Sequence, residues 1–213
     1  MNTPEPEEIT RRLLDGAGTT YAEEAGIRLD DKPMPLFELL VLCMLASKPI
    51  DATVAMRAAR EIFAEKLRTP DTVLEAERHT MIEAFGRAGY ARYDESSATR
   101  LVDIATAVRD EYDGDLRGLA ERSEQNVHAA VRLLEQFKGI GDTGADIFLR
   151  EVQDVWMWVS PYFDRRAIEA AKHLGLPGNP NQLGKLAGSD CTRLAAALVR
   201  VSLDDDLRDK LLQ

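Results

Sequence analysis

The stretch FKGIGDTGADIFLREV, Phe137 to Val152, decides how the rest of the chain is read. Before it runs an apolar-periodic helix through Val127, Val131 and Leu134. After Gly139-Ile140-Gly141 a second helix begins, with Ala145, Phe148, Leu149 and Val152 on one face. Two glycines around one apolar residue make a hairpin that another backbone can approach closely. The amides of the second helix's first turn have no intrahelical acceptor and lie at the positive end of the helix dipole, which suits a phosphate. The pattern predicts a helix-hairpin-helix, which grips a nucleic-acid backbone without reading its sequence. A G-x-G alone also fits an ordinary helical turn, so the reading turns on its surroundings.

Those surroundings are helical. Period-2 runs of valine or isoleucine are nearly absent, whereas Leu101, Ile104, Ala105 and Val108 trace a clean helical face. Glycine and proline punctuate the chain at Pro33, Pro49, Pro70, Gly86 to Gly89, Gly114, Gly139 to Gly141, Pro161 and Pro177-Gly178. Thr69-Pro70-Asp71 places a threonine cap before a first-turn proline. About ten helices and an all-α protein are expected.

At 213 residues the chain has room for one substantial core or two small lobes. The longest apolar run, Leu39 to Ala46, is far short of the about 20 residues that span a bilayer. No membrane role is expected. MNTPEPEEIT is too acidic and polar for a secretory or mitochondrial leader, so a cytoplasmic or nucleoid protein is expected. Cys43 and Cys191 are the only cysteines, so a disulfide framework and a four-cysteine metal or iron–sulfur site are both excluded. His79, His128 and His173 are scattered over three helical segments and predict no metal site. The net charge of −10 runs against the basic face usual for nucleic-acid binding. Much of the acid lies at the ends, however: residues 1–34 hold eight acids against four bases. Lys138, Arg150, Arg165, Arg166 and Lys172 supply local positive charge, so DNA affinity is expected to be weak and salt-sensitive.

Four segments together resemble the endonuclease III-like superfamily of base-excision DNA glycosylases. They are LFELLVLCMLASKPID (36–51), AGYARYDESSATRLVDIA (88–105), the hairpin itself, and FDRRAIEAAKHLGL (163–176), in the order that family shows. The resemblance implies a two-lobed helix-hairpin-helix glycosylase fold. A helical barrel would span residues 34–155, residues 1–33 and 156–213 would form a discontinuous second domain, and a DNA cleft would lie between the lobes. The implied partner is double-stranded DNA carrying a damaged base, and the protein is expected to be a monomer. The absent cysteines set it among cluster-free members. No cofactor is implied, although the resemblance admits a monovalent cation at the hairpin.

On that resemblance Asp164 is the catalytic carboxylate. Breaking an N-glycosidic bond builds positive charge on the sugar, which a carboxylate stabilises, and the same group can orient the attacking water. Asp164 also directly precedes a helix and suits an N-cap. Thr143 stands where bifunctional members carry a lysine; a hydroxyl cannot form the Schiff base of the lyase step. Base removal by water, without strand cleavage, is therefore expected. Lys138, Gly139, Ile140 and Gly141 would hold the DNA backbone, and Lys48 would fill the space left by the extruded base. Trp156, Trp158, Tyr162 and Phe163 fall within eight residues; Trp156, Trp158 and Tyr162 are candidates for a base pocket, since a flipped base stacks against flat apolar walls. Two alternatives stay open: a non-catalytic helix-hairpin-helix DNA-binding protein, and a bifunctional glycosylase that uses another lysine.

Overall fold

The computed structural model describes residues 5–212, the last by its backbone alone. Residues 1–4 and Gln213, part of the expected second domain and, at the N-terminus, of the leader reading, lie outside the described residues. The described residues hold fourteen α-helices and no strand. In chain order the first seven are Pro6–Ala17 (α1), Tyr21–Glu24 (α2), Pro33–Ala46 (α3), Ala52–Ala64 (α4), Pro70–Glu75 (α5), Arg78–Arg87 (α6) and Asp94–Tyr112 (α7). Arg117–Arg122 (α8), Val127–Leu134 (α9), Asp142–Val152 (α10), Arg165–His173 (α11), Pro180–Ala187 (α12), Cys191–Leu203 (α13) and Asp205–Leu212 (α14) follow. The expected all-α class is what forms.

The count exceeds about ten because several breaks carry no glycine or proline. Between α8 and α9 the chain turns on Glu124 and Gln125, both left-handed with φ of 51° and 55°. Asp204, extended at φ −137°, separates α13 from α14. Conversely, Gly86 does not break its helix; it lies inside α6. None of the described helices is long and apolar enough to cross a membrane.

The chain divides into two compact units, Ala22–Phe148 and Met1–Tyr21 with Leu149–Gln213. In the first, α3 is apolar on every side and buried from Pro35 to Leu45, as a central core helix must be. It packs against α4 and α7. The α7 face Leu101, Ile104, Ala105 and Val108 is wholly buried, and each of its larger side chains contributes about 1.5–3 kcal/mol on burial. Caps set the helix starts. Asp51 accepts from the Thr53 amide at 2.7 Å, Thr69 and Thr72 form a reciprocal capping box, and Asn126 accepts from Ala129 at 3.0 Å. In the second unit α13 is the central element, packed by α1, α11, α12 and α14. Leu194, Ala195, Ala197 and Leu198 of α13 meet Ile9, Leu13, Ala167 and Leu183 in its core.

Candidate nucleic-acid interface and the Asp164 cluster

The hairpin joins α9 to α10 within the 22–148 unit. Gly139 takes φ +97°, a conformation that L side chains rarely adopt, and a Cβ there would come 3.2 Å from Met44 Cγ. Gly141 differs. Its added Cβ would meet nothing within 4 Å, and its carbonyl accepts from the Ala145 amide at 2.9 Å, the N-cap arrangement. Gly139 is thus demanded by the fold, while Gly141 presents bare backbone to solvent. Ile140 is buried and pins the turn; Asp142 and Thr143 are exposed on the first turn of α10. Ser47, Lys48 and residues 139–143 line a recess of about 440 Å³. Gly144, which carried no weight in the sequence, is where α10 meets Ser47: a Cβ there would lie 2.7 Å from Ser47 Oγ. The half-buried Lys48 lines this recess. The main-chain carbonyls of Phe137 and Gly141 accept hydrogen bonds from the Ile140 and Ala145 amides. Among the described residues no cluster of three or more His, Cys, Asp or Glu side chains is suited to a metal ion.

The charges beside the hairpin are mixed. Lys138 is exposed, with its Nζ 3.5 Å from Asp103 Oδ1. On the other side, desolvation, a hydrogen bond with Asp142 and repulsion from Asp142 and Asp146 raise the pKa of Glu135. Of these acids, Asp142 stands in the first turn of α10, whose amides are expected to take a phosphate.

Asp164 belongs to the other unit, and both of its carboxylate oxygens are engaged. Oδ1 accepts from the Ala167 amide at 2.8 Å, capping α11, and Oδ2 accepts from Arg150 Nη1 at 2.7 Å. The residue is 5% exposed. Arg150 is the largest fully buried side chain. Its Nε lies 3.6 Å from Glu151 Oε1, and its guanidinium covers the Tyr21 ring at 5.1 Å. Burial favours the neutral guanidine, but the carboxylates of Glu151 and Asp164 outweigh it and raise the Arg150 pKa. Among the described residues, Nε and Nη2 of Arg150 have no hydrogen-bond partner, and Asp164 supplies the hydrogen-bonded anchor at Nη1. From sequence, Arg150 offers only local positive charge. The available signal was a charged pair, Arg150-Glu151, set between the apolar Leu149 and Val152.

The aromatic segment folds over its own backbone. Gln153 Nε2 donates to the Arg150 and Tyr162 carbonyls, both at 3.0 Å, and its Oε1 accepts from the Tyr162 amide at 2.8 Å. Trp156 is buried and stacks on the half-buried Trp158, centroids 5.6 Å apart. Phe163 is buried, and Tyr162 is half-buried. Of the three pocket candidates, Trp158 and Tyr162 retain accessible surface. Cys43 and Cys191 are both buried.

No protein-family model and no curated protein matches the chain. Among solved structures, a trapped endonuclease III–DNA covalent intermediate, an estranged-adenine complex, is similar over 93% of this chain and 86% of that one, at 14% identity and a TM-score of 0.47.

Proposed function

We propose that this chain is a DNA-repair glycosylase that removes a damaged base by water attack and leaves the strand intact. The observation that carries the reading is the hairpin. Gly141 offers unobstructed backbone, Asp142 and Thr143 open α10 at the surface, and Lys48 shares the recess. A duplex phosphate would be held there by main-chain amides, with a monovalent cation on hairpin carbonyls as part of the same reading. Asp164 would stabilise the positive charge that develops on the sugar, and Trp158 and Tyr162 would flank the extruded base. Thr143 offers no amine for an imine, so the product is an abasic site.

A second reading, a non-catalytic helix-hairpin-helix protein that binds duplex DNA, is favoured by one specific observation. Both Asp164 oxygens are spent inside the protein, on a helix cap and a buried arginine. One experiment separates the two: duplexes each bearing a single defined lesion, incubated with the full chain and resolved with and without hot alkali. Alkali-dependent breaks at one lesion support the glycosylase. Binding without excision across the whole panel supports the second reading, and no binding at low salt removes both.

A further inference from the structure

On α7, one helical turn apart, lie Arg100 and Asp103. Arg100 Nη1 donates to Asp103 Oδ2 at 3.0 Å, and Lys138 Nζ lies 3.5 Å from Asp103 Oδ1. One carboxylate therefore engages two bases, an oxygen for each. The stem of Arg100 lies against the hairpin: a Cβ on Gly139 would come 3.4 Å from Arg100 Cγ and 3.5 Å from its Cδ. Its head reaches Asp103, with 42% of the side chain exposed. The side chains of Arg100 and Lys138 are 42% and 68% exposed, against 26% for Asp103.

We propose that Arg100 is a phosphate contact alongside the hairpin, and that Asp103 occupies Arg100 and Lys138 in the free protein, competing with duplex DNA for both. The proposal rests on the hairpin reading above and adds a named contact and a built-in restraint to it. Exposed ion pairs are weak and salt-screened, so a phosphodiester that binds a guanidinium through two oxygens can displace the carboxylate. In a chain of net charge −10, occupying two of the few bases beside the hairpin keeps affinity for undamaged duplex low.

The test is equilibrium binding of the full chain to an undamaged duplex over a series of salt concentrations. Compared are wild type, Asp103→Asn, Arg100→Gln, and Asp110→Asn, which removes an equal charge from an exposed site elsewhere on α7. Asp103→Asn is expected to tighten binding about threefold to fivefold, and more than Asp110→Asn does. Arg100→Gln is expected to weaken binding and lower the salt slope by about 0.9, the value for one lost phosphate contact. Equal effects of Asp103→Asn and Asp110→Asn would overturn the restraint, and an unchanged slope in Arg100→Gln would overturn the contact. If the wild type binds no duplex at low salt, the hairpin reading itself fails and takes this proposal with it; a wild type that binds while the variants behave alike sinks this proposal alone.

Discussion

Replacing Asp164 by asparagine separates a structural carboxylate from a catalytic one only if its cost to the fold is known first. Asparagine is as good an N-cap as aspartate, so the bond to the Ala167 amide can survive. The other oxygen cannot be replaced without conflict. If the amide oxygen caps α11, the NH₂ group faces Arg150 Nη1, donor against donor; if it faces Arg150, the cap is lost. Either way a buried guanidinium loses its hydrogen-bonded anion. Breaking a buried pair from one side costs about 3–5 kcal/mol. Glu151 remains 3.6 Å from Arg150 Nε, so the lower end, about 3 kcal/mol, is expected. For a chain of this size that corresponds to about 6–12 °C in Tm. Urea unfolding of wild type, Asp164→Asn, Arg150→Met and the double variant measures it. The double variant removes both charges, and should recover about 2 kcal/mol relative to the sum of the single changes. An Asp164→Asn protein within about 0.5 kcal/mol of wild type would refute the reasoning, since no buried ion pair could then depend on the residue. Excision must be compared well below the variant's Tm. There, a single-turnover rate reduced roughly a hundredfold or more is expected of a lost electrostatic stabiliser, and an unchanged rate leaves Asp164 with the cap and the ion pair alone.

Gly141→Val should fold normally, since its Cβ meets nothing, yet weaken binding of damaged and undamaged duplex alike; wild-type affinity in a folded variant, measured by fluorescence anisotropy, contradicts the backbone-approach argument. Gly144→Ala should instead lower stability, because its Cβ would crowd Ser47 Oγ, and a neutral result in urea unfolding would mean that α10 can shift freely there. The raised pKa of Glu135 sets a direction with pH. A carboxyl with a raised folded pKa contributes its stabilisation in the protonated form, present at low pH and lost as pH rises through that pKa. Protonation also removes a negative charge beside the hairpin, so duplex affinity at fixed ionic strength should rise as pH falls through the raised Glu135 pKa, and Glu135→Gln should flatten that rise. Borohydride should trap no covalent enzyme–DNA adduct, as Thr143 carries no amine; efficient trapping by the unmodified protein would point to another amine, beginning with Lys138.

The helical class, the α7 face and the hairpin's place were legible because each depends on neighbours within a few residues. The 3.6-residue period of Leu101, Ile104 and Val108, the Thr69-Pro70 start and the glycines of the hairpin are local signals. The extra helix breaks were not legible, since Glu124 and Gln125 take left-handed conformations that their residue types do not advertise. Sequence also could not distinguish Gly139 from Gly141. One is required by its own φ and by Met44, and the other is open, a difference set by what packs beside the turn. Asp164 was legible as a cap, because the helix it starts is local. Its pairing with Arg150, fourteen residues earlier, arises only when α10 and α11 bring a buried cation against that cap. Asp103 likewise meets Lys138 through the packing of α7 beside the hairpin. Periodicity reports which face of a helix is apolar, but which charges become partners depends on contacts between segments distant in sequence, and those exist only once the helices have packed.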